Sequence, residues 1–217
     1  MELVKGRSET ELVVNMGEEP LLWSEFSPAL YKLNVELLTD EGTDNQLVDF
    51  GMKSFGVKGT QFTINGKTTF LRGKHDGCVF PLTGYPSTEV TDWLEQFRIA
   101  QRYGINHIRF HSWTPTVAAF KAADIAGVYL QPELPFWGTM DAKNTSLNQC
   151  LLHEGEQLLK EYGNSPSFTM MALGNELNGD INLMRRLVNH FRSMDNRHLY
   201  SFGSNNNLGT AGEQAGE

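Results

Sequence analysis

Cysteine is nearly absent: Cys78 and Cys150 are the only two in 217 residues. Two cysteines cannot build a disulfide framework, and without a CxxC pair they offer no zinc-binding spacing. Basic residues are also in short supply. Eighteen Lys and Arg against 26 Asp and Glu leave a formal net charge of −8. No basic excess is available to neutralise phosphates, which argues against a nucleic-acid partner. No apolar run approaches the roughly 18 residues of a transmembrane span, so no membrane partner is expected. Met1 to Gly6, Met-Glu-Leu-Val-Lys-Gly, lacks the apolar core of a signal peptide. What remains is ordinary globular composition, 40% hydrophobic and 20% charged, suited to a neutral ligand.

Residues 1 to about 56 read as β structure. Thr10–Val14 is a short β-rich run. Leu30–Leu38 alternates Tyr31, Leu33, Val35 and Leu37 against Leu30, Lys32, Asn34 and Glu36, the pattern of a strand with one face on a core. Asp40–Asp44 reads as a turn and Gln46–Phe55 as the returning strand. Three or four such strands suggest part of a β-sandwich, short of the seven in a complete one.

From about residue 57 the period changes. Thr60–Leu71 reads as a hairpin around Asn65-Gly66. A strand over Thr69–Arg72 then ends in Gly73-Lys-His75-Asp76. Ser87 or Thr88 is placed to cap a helix striped by Val90, Trp93, Leu94, Phe97 and Ala100. Ile105–Phe110 is a strand, and Thr114-Pro115 opens a second helix that stops at Gly127. Val128–Gln131 is a strand. A third helix carries Leu147, Leu151, Leu158 and Tyr162. Phe168–Leu173 is a buried strand followed by turn-type Asn178-Gly179-Asp180. A helix with Met184, Leu187, Val188 and Phe191 precedes a last strand at His198–Phe202.

The order is βαβαβαβαβ, which predicts a parallel sheet with right-handed crossovers. A doubly wound sheet and a (β/α)8 barrel both fit. No GxGxxG follows the first strand, so the barrel is preferred. Four βα units and a fifth strand are fewer than a barrel's eight, so a partial barrel is expected. Its open edge would favour self-association.

In a barrel the strand ends converge on one mouth. Here they supply His75 and Asp76, then Arg109, His111 and Trp113, then Glu133 with Phe136 and Trp137, then Asn175 and Glu176. Carboxylates and amides bind hydroxyls, and aromatic faces stack on the apolar face of a pyranose, so a carbohydrate partner is expected. Glu176, at the end of an apolar strand, reads as a catalytic carboxyl or a turn-capping one. His107 and His111 have i, i+4 spacing, but on a strand that separates them by about 13 Å, so no metal site is read. Trp93 and Phe97 read as core, Trp23 as core of the β region, His153 and His190 as surface, and Arg185-Arg186 as a solvated face. Trp113 and Trp137 fit site and core equally.

Leu21-Leu22-Trp23-Ser24 with Ser27-Pro28 and Leu30-Tyr31 resembles a stretch of glycoside hydrolase family 2, the β-galactosidase/β-glucuronidase/β-mannosidase group. Phe55-Gly56-Val57, Ile64–Lys67, Leu71-Arg72-Gly73, Ile108-Arg109 and Leu173-Gly-Asn-Glu176 resemble its further landmarks in order and spacing. The resemblance implies that residues 1–56 end an immunoglobulin-like β-sandwich. It implies that 57–217 form the N-terminal half of a catalytic barrel. It makes Glu176 the general acid/base, Asn175 the amide on the 2-hydroxyl of the reacting sugar, and Arg109 the arginine that orients the nucleophile. His111, His75-Asp76, Glu133 and Trp137 become substrate contacts, although the local text departs from the family around the first four. Retaining glycosidases need a second carboxylate about 5–5.5 Å from the first. In the family it follows strand seven, so it is expected outside this chain, and Glu213 and Glu217 do not fill the role. The sugar is not readable. No cofactor is implied, though some relatives use Mg²⁺ or Na⁺. The sequence assigns no compartment, and the resemblance accommodates a periplasmic or extracellular one.

Overall fold

A computed structural model describes residues 11–203. In chain order it contains β1 (Tyr31–Thr39), β2 (Gly42–Phe50), β3 (Phe55–Lys58), β4 (Gln61–Ile64), β5 (Lys67–Thr69), β6 (Gly73–Asp76) and α1 (Val90–Arg102). Then come β7 (His107–Phe110), α2 (Val117–Ala126), β8 (Tyr129–Gln131), β9 (Trp137–Met140) and α3 (Thr145–Tyr162). β10 (Met170–Ala172), β11 (Asn175–Gly179), α4 (Ile181–Met194) and β12 (Leu199–Ser201) complete it. The architecture is mixed α/β.

The parallel strands follow chain order. β6 pairs with β7, β7 with β8, and β10 with β12, all parallel. Bridges from Leu130 to Phe168 and from Glu133 to Ala172 join β8 to β10. The helices form where the apolar stripes lie. Trp93, Phe97 and Ala100 of α1, Leu151 and Leu158 of α3, and Met184, Leu187, Val188 and Phe191 of α4 share one core with Ile108, Phe110, Leu130 and Leu173. Gly127 takes a left-handed φ of 77° as the cap of α2, and Gly163 caps α3. At Gly155 of α3 the ring of Phe191 occupies the place of a Cβ, so the two helices meet at a residue without a side chain.

A second cluster closes the opposite end of the strands. Phe55, Ile64 and Trp23 are buried with Tyr129, and Phe62, Met170 and Leu199 pack against them. Tyr129, Met170 and Leu199 are the first residues of β8, β10 and β12, so the β3–β4–β5 meander covers their N-terminal ends. Its turn is the expected one. Asn65 and Gly66 both take positive φ, 52° and 76°, the geometry of a type I′ hairpin.

Several expectations need correcting. Residues 11–14 form no strand, and Thr10 lies outside the described residues. The strand expected at Gln46–Phe55 is split into β2 and β3. β1 is not half-buried: Leu33, Val35 and Leu37 are 41–46% exposed, because the β1–β2 hairpin pairs only with itself among the described residues. The cap of α1 is Glu89 and makes no side-chain bond. Ser87 Oγ instead accepts from Glu89 N and donates to Asp92. α2 starts two residues beyond Pro115.

Beneath the strands lies a buried polar group. Trp23 Nε1 donates to the carbonyl of Asp124, whose carboxylate accepts from Ser167 N. Lys53 Nζ donates to the carbonyl of Phe168. Burial lifts the Asp124 carboxyl from 3.8 to about 6 and lowers Lys53 to about 8. The folded Asp124 therefore holds a proton that the unfolded chain has lost between pH 3.8 and about 6. Stability from this group is present at low pH and falls as pH rises through that window. Asp124→Asn should gain on the wild type by on the order of 2 kcal/mol between pH 4 and 6, read from urea midpoints at each pH.

Candidate active site

The C-terminal ends of the parallel strands gather the chemistry. His75 and Asp76 form the end of β6 itself; the strand lies at Gly73–Asp76, later than the sequence pattern placed it. The reason is local. Arg72 N donates to Asn106 Oδ1, and its Nε to the carbonyl of Gly104, so Arg72 is spent at the entry to the sheet. Gly73 follows without a Cβ, and the imidazole of His107 fills that space.

β7 contributes Arg109, whose partners are fixed. Its Nε donates to Glu133 Oε1 at 2.6 Å and its Nη2 to Asn175 Oδ1 at 2.7 Å. Glu133 is fully buried, and its other oxygen accepts from Ser112 N at 2.7 Å. It was expected as a substrate contact. It lies instead under the mouth, with one oxygen on a guanidinium and the other on a backbone amide. The bonded cation and the backbone donor offset part of the cost of burying that carboxylate. Asn175 is also buried and is anchored by its backbone N–H to the carbonyl of Phe136.

Above this floor the groups are more open. His111 meets His75 edge-on at 4.8 Å and Trp137 edge-on at 5.1 Å. Trp137 is 60% exposed. Asp76 is held by Lys74 Nζ at 3.4 Å and accepts from Cys78 N. Trp113 belongs more to the wall than to the mouth. It donates to the carbonyl of Asp76 and packs against Phe80 and Phe110. Glu176 follows Asn175, is exposed, and takes a left-handed φ of 46°. That conformation is uncommon outside glycine and turns the residue out of the strand line.

Sequence reasoning missed how the rim is built. β9 and β11 pair in parallel, Trp137 opposite Asn175 and Gly179 opposite Met140. Asn178-Gly179, expected as a turn, is therefore the end of a strand, and Asp180 caps α4 by accepting from Leu183 N. Glycine permits the approach at both ends. A Cβ on Gly174 would overlap the carbonyl of Phe136, and one on Gly179 that of Met140. The two glycines were the available signal. Among the described residues no cluster of three or more His, Cys, Asp or Glu side chains is placed to hold a metal ion. No described helix is long and apolar enough to cross a membrane. Glu213 and Glu217 lie outside the described residues.

No family model matches the chain. A β-galactosidase of Oenococcus oeni is 24% identical over 181 residues, 79% of this chain and 18% of that protein. The β-glucuronidase of Mus musculus is 24% identical over 199 residues, 86% of this chain and 30% of that protein. The crystal structure of Parabacteroides merdae β-glucuronidase superposes with a TM-score of 0.75 at 20% identity, covering 84% of this chain and 24% of that one. The resemblance read from the motifs is thus shared by whole-chain comparison: the similarity is to β-galactosidases and β-glucuronidases, and the fold is common to the solved enzymes. The chain spans between 18% and 30% of these relatives' own length.

Proposed function

We propose that this chain carries one half of a retaining β-glycosidase site acting on terminal β-linked hexosides, of the β-galactosidase-like type. The observation that carries the reading is the Glu133–Arg109–Asn175 network at the strand ends, with Glu176 next in sequence and Trp137 open beside it. In this reading residues 57–217 form the first half of a (β/α)8 barrel and residues 1–56 the end of an immunoglobulin-like sandwich. The chain-order parallel strands β6, β7, β8, β10 and β12 support the former. Later strands, or a second copy, would add at the free sheet edge.

Glu176 would protonate the departing glycosidic oxygen and then activate water. Asn175 and Arg109 would hold the sugar and the second carboxylate, which a later stretch of the whole protein would supply. His75, Asp76, His111 and Trp137 would line the subsite. A non-catalytic sugar-binding role is the second reading. It is favoured by the exposed Trp137 face, which can stack on a pyranose whether or not a nucleophile is present.

Trp137 also provides the test, since Trp23 and Trp93 are buried and Trp113 is half-buried against Phe80 and Phe110. Titration with non-hydrolysable β-thiogalactoside and β-thioglucuronide should change tryptophan emission saturably, and Trp137→Phe should abolish the change. The α-anomers should have no effect at the same concentrations. No saturable change with any of these sugars would sink both readings for this chain. In the whole protein, turnover of an aryl β-glycoside would separate the first reading from the second.

A further inference from the structure

We propose that Glu133 is a positioning residue: acting through Arg109, it fixes the amide of Asn175 so that its Nδ2 donor faces the ligand. The direction of that donor rests on the sugar-site reading above; the positioning does not. Glu133 is fully buried and touches no ligand-facing surface. Its Oε1 takes Arg109 Nε at 2.6 Å, and its Oε2 takes Ser112 N at 2.7 Å. Two donors, one on each oxygen, leave the carboxylate one orientation, and the guanidinium plane follows it. Arg109 Nη2 then reaches Asn175 Oδ1 at 2.7 Å.

A guanidinium has five donors and no acceptor. It can face only the oxygen of the amide, so Nδ2 must point the other way. Without the clamp an asparagine amide can flip, and the group offered to a ligand would alternate between donor and acceptor. The backbone of Asn175 is fixed independently by its bond to Phe136, so only the amide rotation remains to be set. Ser112 adds a second mark. It holds a φ of 56°, and this turn aims its N–H at Glu133. Such strain persists where the surroundings over-determine it. A fixed donor selects an acceptor on the ligand, and a sugar hydroxyl supplies one.

Side-chain ¹⁵N–¹H spectra of the protein without any ligand test this. In the wild type the Arg109 Nε–H, assigned by its loss in Arg109→Lys, should exchange with water about tenfold or more slowly than that of exposed Arg185. Glu133→Gln should move that resonance into the bulk of the arginine signals. It should also shift the Asn175 amide pair, assigned by its loss in Asn175→Ala, with the backbone spectrum elsewhere unchanged. Glu133→Asp, which keeps the charge on a shorter stem, should bring both signals part of the way back. A wild-type Arg109 Nε–H exchanging as fast as that of Arg185 overturns the proposal, and so does an Asn175 pair unmoved in folded Glu133→Gln. Should Glu133→Gln fail to fold, Glu133→Asp decides. Coupled movement of the two signals supports the clamp, and movement of one alone overturns it. Because no sugar is present, failure here is distinct from failure to bind a thioglycoside.

Discussion

In the whole protein, Glu176→Gln should lower kcat/KM by about 10²–10⁴ on alkyl and phenyl β-glycosides, the usual contribution of a positioned general acid. On dinitrophenyl β-glycosides kcat/KM should stay within about tenfold, because that leaving group departs without a proton. The asymmetry is the signature, since kcat/KM reports the step that forms the glycosyl-enzyme. The second step needs the same residue as a base for water, so kcat on the dinitrophenyl substrate should fall. Azide, which needs no base, should restore it and yield a β-glycosyl azide. Equal losses on both substrate types would make Glu176 a binding residue and move the acid elsewhere. The structure already meets one requirement: Glu176 is exposed beside the buried Asn175, so a leaving group can reach it from solvent.

Arg109→Met should cost this chain about 3–5 kcal/mol of stability, because it leaves the Glu133 carboxylate buried without its cation. For a domain of this size each kcal/mol is worth about 2–4 °C in Tm, so a fall of roughly 6–20 °C is expected. Methionine nearly matches the arginine stem, which keeps the packing loss small and isolates the charge. Adding Glu133→Gln to Arg109→Met should recover a large part of the loss, since a neutral amide still accepts from Ser112 N and no unpaired charge remains. Differential scanning calorimetry on the four proteins of the cycle reads the coupling directly. Independent, additive effects would mean that the pair at 2.6 Å contributes little, as an exposed one would. Its depth argues otherwise.

The elements legible in the sequence are those whose burial is written into a local period. α1 and α4 announce themselves through Trp93–Phe97 and Met184–Phe191, because an amphipathic stripe records the core on one side and water on the other. The Asn65-Gly66 turn is legible for a similar reason: two successive positive φ values require those residue types. The strand-end groups of the site are legible as types, since the βα order brings them together. Three things were not. The pairing of β9 with β11 joins residues distant in the chain, Trp137 with Asn175 and Met140 with Gly179, and Asn178-Gly179 locally spells a turn. The burial of Glu133 depends on a cation 24 residues earlier, while Pro-Glu-Leu-Pro alone reads as loop. The exposure of β1 also escaped, because alternation reports the face a strand could bury and not what covers it.

The β9–β11 pairing has a consequence for affinity. The loops after β8 and β10 are joined into one small sheet, with Trp137 set opposite Asn175. Loops that order only on contact charge that entropy against the complex, whereas here the loss has already been incurred during folding. On the proposed reading, a sugar settling on the indole would meet a surface already in place, with the backbone of Asn175 paired to that of Trp137. Insertions in either loop should therefore weaken ligand capture from a distance, without replacing a single residue that touches the ligand.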